Sequence, residues 1–386
     1  MNLALKDTLH APTRFALTAL GVAFLVMAVI GMTGLYRGIV EDALLIIDRI
    51  DADLWVVQGE RAGPFAEGSA VSSDMDRRVE GVPGVANVRR FTQFSQQFSF
   101  AGASRRATVT GVDVPGDDGR WLPLAEGRWL GGSRYEAVAD TSTGLKVGHR
   151  IQLARDVYTV VGLTRDMVDS AGDGLLFVGI NDAAAIARRR TSEEIHLARA
   201  AGNGAAVTAD ASSVAQESKI SAVLVRLDPA ADAARVIAAM QRWGDVRVMT
   251  TGEQRDLMLN ARLWKLRLQI LTFTGMILLI TAVVVSLIVY MMTVEKLHEI
   301  ALLKLMGARE SVVVGLIGQQ AGLIGIAGYV LAIALASLVF PLFPRRVVML
   351  PTDLGQIGLA LALVCAAAAW VGIARASRIS AREVLS

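Results

Sequence analysis

The sequence predicts an α-helical membrane protein with four transmembrane helices and a large extracytoplasmic α+β domain between the first and second. Three observations predict it. Hydrophobic residues make up 53% of the 386 positions but gather in four runs, Phe15 to Tyr36, Ile270 to Met292, Val312 to Phe340 and Ile357 to Ile373. At about 1.5 Å per residue the longer runs cover a bilayer core of roughly 30 Å. Between the first two runs the pattern changes to short alternating stretches broken by Gly and Asp, which is how strands and turns read.

The first run follows Lys6 and Arg14 and could be taken for a signal peptide. It is longer than a typical signal core and no A-x-A cleavage site follows, so a retained signal anchor is expected. The N-terminus then stays in the cytoplasm and the insertion is exported. The basic residues agree in part, with Lys6, Arg14, Lys296, Lys304, Arg309, Arg375, Arg378 and Arg382 inside against Arg345 and Arg346 in the short outer loop. Arg37, Arg262, Lys265 and Arg267 run against the rule and are read as parts of helices that continue beyond the membrane as a stalk, beside an interfacial Trp264.

Element by element, residues 1–40 are read as an amphipathic segment and first span, and 41–261 as the exported domain. Strands are expected at Asp53 to Val57, Val85 to Phe100, Arg106 to Val112, Glu136 to Ala139, Arg150 to Leu153, Tyr158 to Leu163, Leu175 to Ile180, Ala222 to Leu227 and Val246 to Met249. Helices fit at Ser73 to Val79, Asn181 to Ala187 and Ala230 to Trp243. Residues Ala200 to Ser218 are small and polar and read as a surface loop or a segment that orders on binding. Residues 262–293 form the second span with its stalk, 294–311 a cytoplasmic coupling helix, 312–340 the third span, 341–354 a short outer loop, and 355–386 the fourth span with a cytoplasmic tail.

The link between the second and third spans is the most informative stretch, because Glu295, Lys296, Glu299 and Lys304 place it in water between two membrane-length runs. In the third span Gly315, Gly318, Gly322, Gly325 and Gly328 give a small-residue face for close helix packing, with a shifting dimer seam as its functional alternative.

Composition excludes several activities. The net charge of +3 comes from dispersed residues, with no basic stripe interleaved with aromatics, so nucleic acid is not an expected partner. The single cysteine, Cys365, cannot make an intrachain disulfide or a CxxC metal site. His298 and Glu299 open like a zinc-protease motif, but Leu302 stands where the second His belongs. Asp166, Asp169 and Asp173 lie around Gly172 and Gly174 without the spacing of a calcium loop and read as a solvated turn. There is no GxSxG elbow and no GxxxxGK loop, so the chain is expected to be no enzyme and to bind no cofactor itself. No span carries a charge in its middle, which argues against a proton relay or hydrophilic ion path.

In the link, Glu299, Ile300, Leu303, Lys304, Gly307 and Ala308 match an E-I-x-x-L-R/K-x-x-G-A pattern. Together with TRFALTALGVAF from Thr13, IDADLWVV from Ile50, VPGVANVRRF from Val82, LKVGHRIQL from Leu145 and SAREVLS from Ser380, the chain resembles the MacB/FtsX-type permeases of ABC systems, and looks closest to the DevC-like permeases among them. The resemblance covers nearly the whole chain; Ala381 stands where many relatives have proline.

The resemblance implies a bacterial inner-membrane permease with both termini cytoplasmic and a periplasmic domain. It implies a second permease, either another copy of this chain or a related one, and a separate ATP-binding subunit that supplies ATP and Mg. In DevC-like systems a periplasmic adaptor and an outer-membrane channel join them. Glu295, Lys296, Leu297, Glu299, Ile300, Leu303, Lys304, Gly307 and Ala308 would contact the ATP-binding subunit, with Leu297, Ile300, Ala301 and Leu305 as the apolar face for its groove. The expected function is mechanotransmission for export or extraction of a lipid, glycolipid, peptide or drug-like substrate, with mechanical regulation of a cell-wall hydrolase as the alternative.

Overall fold

The computed structural model describes residues 12–114, 116–189, 219–295, 310–343 and 345–378. Its elements in chain order are α1 (Pro12–Arg49), β1 (Leu54–Gln58), α2 (Gly63–Ala66), β2 (Val71–Ser72), α3 (Met75–Glu80), β3 (Val85–Phe100), β4 (Ala103–Val112), β5 (Leu124–Gly127), β6 (Glu136–Asp140), β7 (Arg150–Leu153), β8 (Asp156–Thr164), β9 (Leu175–Gly179) and helix α4 over residues 180–189. After them come β10 (Lys219–Ile220), β11 (Ala222–Leu227), α5 (Ala233–Gln241), β12 (Val246–Thr250), α6 (Thr251–Leu257), a π-turn at Met258–Arg262, α7 (Trp264–Glu295), α8 (Glu310–Val339) and α9 (Pro351–Arg378).

These divide into two compact units, one of Ile39–Trp264 and one of Met1–Gly38 with Lys265–Ser386. Among the described residues, four helices are long and apolar enough to cross a membrane, at Phe15–Arg49, Trp264–Glu295, Ile317–Leu342 and Pro351–Trp370. The α+β unit lies between the first and second in the chain, as the sequence predicts.

The α+β unit is built on one sheet in the order β12-β1-β11-β3-β4-β9-β6-β8-β5, with β7 paired to β3 and β8; β2 and β10 form a separate two-stranded sheet. Within the large sheet the pairings are antiparallel except β4 with β9 and β6 with β8. Strand β1 shows why the central part is apolar without a break. Leu54 and Val56 enter one core with Val223, Val225, Val246 and Val248, closed by Met75 and Val79 of α3 and Val236 and Met240 of α5. Trp55 and Val57 enter another with Phe91, Leu224 and Met249, joined by Leu45, Ile46 and Ile50 at the end of α1. A strand covered on both faces has no polar side, so its residues read as a continuous apolar run. The rings of Trp55, Phe65 and Phe91 meet edge-on or tilted at 5.4 to 5.8 Å, a favourable arrangement for aromatic quadrupoles.

A further core lies over β4, β6, β7, β8 and β9, where Val109, Ala137, Ile151, Leu153, Tyr158, Val160 and Leu176 pack with Ile186 of α4. Burial pushes the Tyr158 phenol above its ordinary range, keeping it neutral. The expected strands are all present within a few residues; Ile180, expected to end β9, instead begins α4. Strand β5 was not expected. Its four residues, Leu124 to Gly127, are all exposed and carry no alternation, and its register to β8 shifts between Leu124 and Glu126.

At the start of β6 the Arg128 guanidinium bonds the Glu136 carboxylate, holding it below the usual carboxylate range, and the Gly131 amide also donates to it. A carboxylate with a lowered folded-state pKa contributes stability that is complete above its unfolded pKa and lost as pH falls through the folded one. Acidification through that window is therefore expected to loosen the hydrogen-exchange protection of β6, and Glu136→Gln should abolish this acid dependence. Equal acid loss in the variant and the unaltered chain would contradict it.

The membrane-type unit is held by a core of Val22, Val26, Val29 and Ile30 of α1, Val285 and Val289 of α7, Ile317, Ala321 and Ile324 of α8, and Leu361, Cys365 and Ala368 of α9. Much of the apolar surface of α7 is exposed, including Leu268, Leu279, Val283 and Leu287. In water this would be untenable over so long a helix, whereas in a bilayer it costs little because lipid is as apolar as the side chains.

Candidate functional site

The two stretches of chain that link the α+β unit to the apolar helices are the candidate site. At the first, α1 runs without a break from Pro12 to Arg49, 38 residues or about 57 Å at about 1.5 Å each. Its final turns are buried from Ala43 to Ile47, and Ile50 is fully enclosed. A helix end leaves carbonyls without intrahelical partners. Just past the end of α1, Arg89 of β3 supplies donors. Its Nη2 donates to the carbonyls of Ile50 and Asp51, at 2.5 and 2.8 Å.

The same guanidinium pairs through Nη1 with Asp117 at 3.1 Å, and both side chains are largely buried, 11% and 3% exposed. Asp117 is itself fixed. Its Oδ1 accepts from Trp121 Nε1 at 2.8 Å and from the Gly119 amide at 3.0 Å, and its carbonyl accepts from Trp129 Nε1 at 3.1 Å. Three more pairs surround the helix end: Arg255 with Asp48 at 3.1 Å, Arg226 with Asp51, and the Leu227 amide with Asp53 at 2.8 Å. Arg89, Arg226 and Arg255 place cations at a helix C-terminus, where the macrodipole favours them.

At the second connection, α6 opens on a capping box in which Thr250 and Glu253 satisfy each other's backbone amides. The helix then widens into the π-turn Met258–Arg262, and Leu263 separates it from α7. Interrupted hydrogen bonding of this kind is a common place for a helix to bend. One connection is thus continuous and capped, and the other carries a break.

Of the residues expected to contact an ATP-binding subunit, Glu295 is the exposed last residue of α7, and Lys296, Leu297, Glu299, Ile300, Leu303, Lys304, Gly307 and Ala308 lie outside the described residues. So does the segment Ala200 to Ser218. In α8, a Cβ added at Gly315, Gly318 or Gly322 would meet no described heavy atom within 4 Å, whereas one at Gly325 would stand 2.7 Å from Cys365 Sγ, and one at Gly328 would stand 2.7 Å from Val22 of α1. Gly318, Gly322 and Gly325 face Gly358, Leu361 and Cys365 of α9 across an apolar groove of about 550 Å³.

The acidic turn is closed on itself. Asp169 accepts from the Thr108 hydroxyl at 2.6 Å and from the amides of Ala171 and Asp173, and Asp173 pairs with Arg106. Among the described residues, no group of three or more His, Cys, Asp or Glu side chains is placed to hold a metal ion. Sequence reasoning missed Arg89 and Asp117; a buried-pair assignment needed the fold that brings Arg89, Asp117 and Ile50 together.

Comparison with known proteins adds to this geometry. A family model described as MacB-like periplasmic core domain matches residues 15–243, and one described as FtsX-like permease C-terminal matches residues 271–381. An uncharacterized ABC transporter permease of Mycobacterium tuberculosis, found for two strains, is 25% identical over 348 residues, 89% of this chain and 87% of that protein. Among solved structures, the periplasmic region of MacB from Actinobacillus actinomycetemcomitans aligns with a TM-score of 0.38 and 12% identity over 54% of this chain and 94% of that one. The extracellular domain of the noncanonic ABC-type transporter YknZ from Gram-positive bacteria aligns with a TM-score of 0.34 and 14% identity over 52% of this chain and 100% of that one.

Proposed function

The chain belongs to the MacB/FtsX-type permeases of ABC transporters, and from that membership we propose that it converts ATP binding and hydrolysis on a separate subunit into movement of its extracytoplasmic domain. The observation that carries this reading is α1, a single helix whose last turns are buried in the α+β unit and which is followed directly by Ile50 and Asp51, whose carbonyls are held by Arg89. A helix fixed at its end by a buried ion pair moves the domain with it; a flexible tether would not. The uncharged interiors of the spans support the same reading, because work done outside the membrane needs no polar channel.

In this scheme the chain sits in a bacterial inner membrane with both termini inside and acts as a non-catalytic subunit. ATP and Mg are bound by its partner, and Glu295 to Ala308 is the docking segment. A second permease, a copy of this chain or a related one, completes the complex. The substrate is a lipid, glycolipid, peptide or drug-like molecule to be exported or extracted, passed in DevC-like fashion to a periplasmic adaptor and outer-membrane channel.

The test is to identify by mass spectrometry what copurifies with the tagged chain from gently solubilised membranes. An ATP-binding subunit together with an adaptor is the expected result. The same subunit with a cell-wall hydrolase would replace export by hydrolase regulation, and reproducible absence of any ATP-binding subunit would defeat the reading.

A further inference from the structure

Three glycines of α1, Gly31, Gly34 and Gly38, recur at spacings of three and four and therefore share one face of the helix. The face is occupied. The ring of Phe340, at the end of the third span, would lie 3.2 Å from a Cβ at Gly31. A Cβ at Gly34 would stand 2.6 Å from Val347 and 3.0 Å from the Val348 carbonyl, and one at Gly38 would overlap the Arg346 carbonyl. The segment between the third and fourth spans thus runs directly over the α1 backbone, at a distance only glycine permits. A hydrogen bond from the Val348 amide to the Gly34 carbonyl, 3.1 Å, ties the two backbones together.

Beside this contact stands an ion pair. Arg37 donates from Nε and Nη2 to the two oxygens of Asp353, at 2.5 and 2.6 Å, in the two-pronged geometry that suits a guanidinium and a carboxylate. Asp353 lies in the first turn of α9, where the helix dipole also favours a negative charge, and its side chain is only 10% exposed. Arg37 was one of the basic residues that broke the charge rule for the outer side, and this partner accounts for it. Two charges joined to each other need no cytoplasmic placement.

We propose that this contact is a clasp through which movement of the third and fourth spans is passed to α1 and so to the extracytoplasmic domain. The inference rests on the force-transmitting function proposed above and adds a route to it. The segment Glu295 to Ala308 precedes the third span as well as following the second. The second span reaches the α+β unit through the interrupted π-turn, whereas the third and fourth spans grip α1, which is continuous as far as Arg49. A push at the cytoplasmic link therefore has an unbroken helical path outward only by way of the clasp.

The test uses the full-length chain reconstituted with its ATP-binding subunit in lipid nanodiscs, with ATP hydrolysis and the ATP-driven change in hydrogen exchange of the α+β unit read on the same samples. Asp353→Asn and Arg37→Gln are expected to keep ATP hydrolysis and to reduce the exchange response about fivefold. The charge exchange Arg37→Asp with Asp353→Arg is expected to restore the response, which a purely local packing defect would not show. If both single variants respond like the unaltered complex, the clasp transmits nothing. If they respond weakly and the exchanged pair is no better, the pair is not the transmitting contact. An unaltered complex with normal ATP hydrolysis and no exchange response would defeat the force-transmission reading itself, and the clasp with it.

Discussion

Replacing Arg89 by methionine is expected to lower the opening free energy of the α+β unit by about 3–5 kcal/mol, because it removes one member of a buried ion pair and leaves the other charge uncompensated. Asp117 is 3% exposed, and its remaining partners are the neutral N–H groups of Trp121 and Gly119. The same substitution strips the Ile50 and Asp51 carbonyls of their donors, so the end of α1 loses its cap. Native-state hydrogen exchange on β1 and β3 amides would read the change in the intact chain. Adding Asp117→Asn should return more than half of the loss, since Asn keeps an oxygen for Trp121 and Gly119 and carries no charge. A loss under about 1 kcal/mol would show that water reaches the pair and that the junction is held by apolar packing alone.

Glu299→Lys and Gly307→Val are each expected to separate ATP hydrolysis by the partner from export, while leaving membrane insertion intact. The first reverses a charge on the segment proposed above, from the family resemblance, to dock in the partner's groove. The second puts a β-branched side chain where the helix is expected to end in the left-handed conformation that glycine adopts freely. A coupling energy of about 1–3 kcal/mol would make the loss of export about 5- to 150-fold at an unchanged rate of hydrolysis. Export by both variants at the unaltered rate would remove the coupling role from this segment. The two predictions probe opposite ends of the proposed path, so a defect at Arg89 that spares hydrolysis would resemble one at Glu299 in export but differ from it in exchange protection of the sheet.

Much of the fold was legible because burial leaves a periodic trace. The four apolar runs fixed the four long helices, and strands such as Val85–Phe100 and Ala222–Leu227 stood out between turn residues at their observed bounds. Strand β5 escaped because LAEG is exposed at a sheet edge, and an edge strand with no buried face carries no alternation to read. The start of α4 at Ile180 escaped for the opposite reason. An apolar residue at the junction of strand and helix satisfies both patterns.

The sequence by itself determined the class of the protein, the order of its segments, the absence of catalytic motifs and the family resemblance that the comparisons establish. These depend on composition and on spacing within one element, which is local information. Only the tertiary structure decided that Arg89 caps α1 and holds Asp117, and that Gly34 and Gly38 admit the outer loop beside Arg37 and Asp353. The physical reason is twofold. A helix that is apolar all round carries no periodic sign of which face meets a neighbour. A charge, likewise, does not announce its partner when the two are brought together from opposite ends of the chain, as Arg37 and Asp353 are.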